Sequence, residues 1–233
     1  MAAGKVAPMI LWDVIYLATA LVVGTIILSF GWRFISRRHT LPCPAWLAWA
    51  LESPYSQWIA GSELLLHRLD LQRGMQLLDI GAGAGRISIP ATYKVGDTGE
   101  VTALDLQQAM LDKLIARASG KDIHNLTTVH SKLKPGLFRP ETFDRAIMVT
   151  VLGEIPEHEE PFKLVYDYLK PGGLLSITEI LPDPHYQLRS TVARKAEAAG
   201  FTVEHTFGPF FAYTMNLRKP LETVAEEEPQ ASQ

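Results

Sequence analysis

The chain has 233 residues, 47% of them hydrophobic, with 22 basic and 25 acidic side chains; that length suits one well-buried domain plus an appendage and is short for two ordinary domains. A formal net charge of -3, without a basic cluster outside residues 33 to 38, argues against a nucleic-acid partner. The single cysteine, Cys43, excludes an internal disulfide and any multi-cysteine metal site, and no histidine pair has metal-ligand spacing.

In chain order, the first feature is VIYLATALVVGTIILSFGW, Val14 to Trp32, nineteen residues without a charge. At about 1.5 Å per residue it nearly matches a hydrocarbon core of roughly 30 Å, so a transmembrane helix over 14–32 is expected, with a buried core helix as the alternative. Lys5 stands alone before it, while Arg33, Arg37 and Arg38 follow. That pattern fits an uncleaved anchor rather than a signal peptide. The arginines predict a single-pass protein with residues 1–13 on the far side and the rest of the chain cytoplasmic. The segment 33–55 is basic and then aromatic, with Trp46, Trp49 and Tyr55, and Trp58 just beyond it; these rings suit either the headgroup layer or the domain's own core.

A helix is expected over Ser56 to Leu69. Strand and helix patterns then alternate, with strands near 76–80, 100–105, 126–130, 143–149 and 173–180 and helices near 85–95, 107–119, 157–169 and 186–199. Only a loop is expected in SKLKPGLFRPET, between the third and fourth strands. FTVEHTF and FAYTMNL, joined by Gly208, Pro209 and Phe210, read as a closing hairpin. The prediction is an α/β domain over 56–220, a doubly wound, mostly parallel seven-stranded sheet with a carboxy-terminal antiparallel hairpin. An acidic tail, 221–233, is expected to be disordered.

The stretch LLDIGAGAGRISIP, Leu77 to Pro90, is an apolar strand ending at Asp79 and followed by Gly81, Gly83 and Gly85. Glycines there let the backbone turn sharply and approach a ligand. A dinucleotide fingerprint needs a small residue where Arg86 stands, and Asp79 would repel two phosphates. A ligand with cationic groups near Asp79 and an anion at the following helix start fits better. Pro90 must either kink the first helix of the domain or delay its start.

LLDIGAGAG followed by VTALDL, FDRAIMVTVLGEIP and LKPGG-LLSITE resembles the class I S-adenosylmethionine-dependent methyltransferases over roughly Tyr55 to Leu217. The resemblance implies S-adenosylmethionine as cofactor. It places the cofactor's methionine part over Asp79, Gly81, Ala82, Gly83 and Gly85, and its ribose hydroxyls on Asp105, with Leu106 beside them. Asp105 otherwise reads as a helix cap, and Asp144 and Pro171 to Gly173 as architecture. The family's acidic residue after the third strand is missing from TTVHSKL, so the backbone of Ser131 or Lys132 is the candidate for the adenine.

Glu154, in the position where similar enzymes present substrate, is the first candidate for a general base, with a helix cap as its other reading; Glu179 and His185 are further catalytic candidates at the carboxyl edge of the sheet. His158 reads as a solvated helix-start residue. An anchored domain favours a membrane-associated small molecule or lipid, and IPATYKVGDTGEVTALDLQQAML is similar to segments of quinone and lipid methyltransferases. A tethered S-adenosylmethionine-binding protein without turnover and a dinucleotide-dependent oxidoreductase are the alternatives. Oligomeric state is left open.

Overall fold

The computed structural model describes residues 12–21, 23–24, 31, 60–156, 160–181 and 183–221. Seven strands form: β1 (Gln76–Ile80), β2 (Glu100–Asp105), β3 (Leu126–His130), β4 (Phe143–Val149), β5 (Leu169–Ile180), β6 (Thr202–Phe207) and β7 (Ala212–Arg218). They make one sheet in the order β3-β2-β1-β4-β5-β7-β6. Pairing is parallel from β3 through β5, and β7 runs antiparallel between β5 and β6. The expected seven strands and closing hairpin are therefore present, and no helix separates β3 from β4.

Period-two alternation explains why both faces are covered. Leu77, Val101, Ile147 and Leu174 bury against Leu65 and Leu66 of α1 (Ser62–Arg68) and Ala91 and Val95 of α2 (Ser88–Val95). Their neighbours Leu78, Ala146, Leu175 and Ile177 bury on the other face, against Phe162 and Val165 of α4 (Pro161–Tyr168) and Val192 of α5 (Arg189–Ala198). Leu114 of α3 (Gln108–Ala118) joins Ala103 of β2. Each such leucine or valine contributes about 1.5–3 kcal/mol by leaving water.

Element boundaries differ from expectation for physical reasons. Helix α2 starts at Ser88 rather than 85, because the glycine turn runs on to Ile87, and Pro90 then falls in the first turn, where its missing N–H costs nothing. Strand β5 starts at Leu169, which pairs with Phe143 before the register slips. Asp144 is architectural, as anticipated: its two carboxylate oxygens accept from Gln76 N (2.8 Å) and Lys170 Nζ (2.8 Å), tying β1 and β5 to β4.

Residues 12–21 are helical, and Trp12, Val14, Tyr16, Leu17 and Leu21 are exposed. Among the described residues, no helix is long and apolar enough to cross a membrane. Most of the expected span after Leu21 lies outside the described residues. So do Arg33, Arg37, Arg38, Cys43, the aromatic run to Trp58, His158 and residues 222–233.

Candidate functional site

The carboxyl ends of β1 and β2 position the first groups. Leu77 and Asp79 share the face that α2 covers, so the Asp79 side chain points at the start of that helix and accepts from Ser88 Oγ at 2.5 Å. Gly81 N and Ala82 N both donate to Leu104 O (2.8 and 3.1 Å), which bends the chain leaving β1 across the end of β2. Gly83 N then donates to Asp105 Oδ2 (2.8 Å), while Asp105 Oδ1 accepts from Gln107 N (2.8 Å). Gly81 needs its glycine: φ is +73°, and a Cβ would lie 2.3 Å from Val151 Cγ2.

The turn opens into a two-chambered cleft. A cavity of about 250 Å³ is lined by Gly81, Gly83, Asp105, Leu106, Ser131, Lys132 and Glu154. A smaller one of about 60 Å³ is lined by Asp79, Gly81, Ala82, Gly83 and Arg86. The two share Gly81, Gly83, Met110, Val149 and Thr150. Nine of the twelve residues expected from the sequence line one or both chambers, and Gly85, Glu179 and His185 line neither. A Cβ on Gly85 would press on Leu114 Cγ at 2.8 Å, so this glycine lets α3 pack closely.

Glu179 and His185 were expected to reach the cleft, and they do not line it. Both are buried, on β5 and in the loop after it, because that loop folds back: Glu179 Oε2 accepts from Gln187 N (3.0 Å) and His185 N donates to Asp183 Oδ1 (2.6 Å). Burial, reinforced by Asp183 and Glu154, pushes the Glu179 carboxyl up to about 8, against the Gln187 N–H that lowers it. Burial thus favours its neutral, protonated form. Among the described residues, its Oε1 and the His185 Nε2 have no hydrogen-bond partner.

Sequence reading missed Met110, on the first turn of α3, and Thr150, in the left-handed region at φ 55°. Thr150 N donates to Thr178 O (2.8 Å), which holds this strained residue in the wall between the chambers. A lone threonine after an apolar strand carries no signal for that conformation. Met110 had the signal of an apolar position, which core packing explains equally well.

Burial pushes the Asp79 carboxyl up to about 6, opposed by the Ser88 hydroxyl and by Arg86. A cation in the small chamber favours the ionised form, so protonation competes with it. Affinity for a ligand placing a cationic group there is expected to be full above about pH 6 and to fall as pH drops below it, by about tenfold per unit for one linked proton. Calorimetric titration with S-adenosylhomocysteine across that range checks this, and Asp79→Asn should flatten the profile.

Residues 77–173 match the family model described as a methyltransferase domain. Demethylmenaquinone methyltransferase of Listeria monocytogenes serotype 4a is 29% identical over 106 residues, 46% of this chain and 45% of that protein. The enzyme of the same name from Staphylococcus saprophyticus is 28% identical over 115 residues, 49% and 48% of the two chains. The chain thus spans about half the length of these relatives. Among solved structures, a SAM-dependent methyltransferase from Aquifex aeolicus superposes with a TM-score of 0.69 at 20% identity, over 76% of this chain and all of that one. Phosphoethanolamine N-methyltransferase 2 of Haemonchus contortus, solved with phosphomonomethylethanolamine and S-adenosylhomocysteine, gives 0.58 at 18% identity, over 70% and 56%.

The residues present fit S-adenosylmethionine. A buried carboxyl awaits a cation in the small chamber, and an acceptor carboxylate stands in the large one, its spare lone pairs suited to a diol. Residues 77–173 thus match a methyltransferase domain, on a fold that the chain shares with solved S-adenosylmethionine-dependent methyltransferases.

Proposed function

We propose that this chain methylates a membrane-associated small molecule, a quinone precursor or a phospholipid headgroup, using S-adenosylmethionine held between Asp79 and Asp105. The single observation that carries the reading is the two-chambered cleft, with a carboxyl group in each chamber and Glu154 in the wall of the larger. When bound, the cofactor supplies a methyl group on a sulfonium centre. Asp105 would receive the ribose hydroxyls, and the Gly81–Gly83 turn allows close approach of the methionine part. The apolar wall at Leu104, Met110, Leu133 and Ile155 would limit water around a bound cofactor and acceptor. Holding acceptor and methyl carbon in line is worth up to about 7–11 kcal/mol.

Glu154 sits on the short 3-10 turn Leu152–Glu154 after β4, in the cavity wall. It would take the proton of a hydroxyl, amine or activated carbon as the nucleophile attacks. Glu154→Gln is expected to lower turnover by about a hundredfold, at the low end of general-base effects, with cofactor affinity unchanged. Equal turnover by the variant would rule out Glu154 as the base; the next helix starts at Pro161 with Glu160 as its N-cap, so the helix-cap reading does not hold either.

Support for a quinone-type acceptor comes from the relatives' names. Support for a membrane location comes from the uncharged run 14–32 and the exposed apolar side chains of its helical start. In this reading 14–32 anchors the chain and the arginines after it hold the catalytic domain, 56–220, on the cytoplasmic side. Transfer of labelled methyl groups into lipid extracts tests it. Label in an extractable lipid supports the reading, whereas tight cofactor binding without any label would favour the binding protein without turnover.

A further inference from the structure

The loop after β5 and the turn joining β6 to β7 are fastened together. Leu181 N donates to Phe211 O (2.6 Å), the Tyr186 hydroxyl donates to Phe210 O, and Arg189 Nη2 donates to Gly208 O. All three donors lie on one segment and all three acceptors on the other, so the two move as one platform. From it project Leu181 (39% exposed), Leu188 (62%), Phe210 (70%) and Phe211 (36%), the two rings packed edge to face at 5.4 Å. Leaving such surface in water forgoes about 25 cal/mol per Å², and contiguous apolar patches of this kind mark interaction sites.

Position and charge indicate what covers it. Ile180 pairs with Ala212, so the turn lies at the carboxyl edge of the sheet, the edge at which the cleft opens beside β4. Arg189, half-buried, borders the platform, its guanidinium 5.2 Å over the Tyr213 ring and its Nη2 on Gly208 O. The acid of the loop, Asp183, is half-buried and accepts from His185 N at 2.6 Å. An apolar, aromatic tip with a cation at its rim complements an anionic lipid interface. The same chain exposes Trp12, Tyr16 and Leu17 on its first helical residues, so a second bilayer-compatible surface is already present.

We propose that Leu181, Leu188, Phe210 and Phe211 form a membrane-docking surface that seats the carboxyl edge of the sheet on an anionic bilayer. A lipid-dissolved acceptor would then enter the cleft without crossing water. Acceptor entry rests on the methyl-transfer reading above, whereas docking itself does not.

The test uses the full chain with Cys43→Ser, carrying an environment-sensitive fluorophore at Phe210→Cys or, at the opposite edge, Asp97→Cys. Both are reconstituted in vesicles of equimolar phosphatidylcholine and phosphatidylglycerol. Spin-labelled lipid is expected to remove most of the emission at 210 and leave that at 97 unchanged. Equal quenching at both sites, or none at 210, overturns docking; so does a lipid-independent disulfide dimer of Phe210→Cys, which would make the patch an interface between copies. Phe210→Ser/Phe211→Ser should lower transfer to vesicle-borne acceptor several-fold at unchanged S-adenosylhomocysteine affinity. If no variant binds that compound, the methyltransferase reading fails while the quenching result still decides docking.

Discussion

Asp105→Ala is expected to weaken cofactor binding by at least about a hundredfold. Two hydroxyl hydrogen bonds to an ionised carboxylate contribute about 1.5–3 kcal/mol each, and 1.4 kcal/mol is about a factor of ten. The cost has a second source. Gly83 N and Gln107 N both donate to this carboxylate at 2.8 Å, so its removal also loosens the turn that the cofactor lies against. Asp105→Asn keeps the shape and one acceptor oxygen, which separates the two contributions. Calorimetry with S-adenosylhomocysteine on parent and both variants measures the effect. Equal affinities would remove Asp105 from the site, while the melting temperature should change little because the carboxylate faces a cavity that water can enter.

Gly153→Ala is the second large effect. A Cβ there would lie 2.1 Å from His185 O, 2.7 Å from His185 Cβ and 2.9 Å from Gln187 Nε2. The first of these is backbone, so the clash is not relieved by a rotamer change. Either the loop after β5 or the turn Leu152–Glu154 must move. The loop is tied by Gln187 N to Glu179 Oε2 and by the Tyr213 hydroxyl to Gln187 O (2.8 Å), and the turn that yields carries Glu154. Overpacking of this kind costs about 1–3 kcal/mol in stability. Turnover should fall at least tenfold, since an ångström of misplacement is severe for an in-line reaction. Cofactor affinity should hold, because Gly153 lines neither chamber of the cleft. A variant with parental turnover and stability would show that the loop is slack.

How much of this was legible in the sequence follows from the type of signal. Local patterns were readable: the period-two runs at Leu77–Ile80 and Val101–Asp105, the glycines at 81 and 83, and the hairpin spacing around Gly208 all placed elements where they occur. Asp79 stood out as a carboxylate in the strand before a glycine turn, and Asp105 through the family resemblance, with a helix cap as its other reading; the structure places both in the cleft walls. Long-range contacts were not readable. Glu179 and His185 looked like cleft residues by position on the sheet edge, yet the loop between them folds back through hydrogen bonds that no spacing encodes. Thr150 adopts its left-handed conformation with its N–H held by Thr178 O on the next strand, a contact that no local pattern encodes. Gly85 belongs to the motif in sequence but to helix packing in space.

The most direct test of the central claim, that Asp79 and Asp105 hold S-adenosylmethionine across the glycine turn, is a crystal structure of the chain with S-adenosylhomocysteine. The ribose hydroxyls should lie within about 3 Å of the Asp105 carboxylate, with the amino group in the chamber lined by Asp79. A ligand bound elsewhere, or this cleft occupied instead by the pyrophosphate of an added dinucleotide, would contradict it.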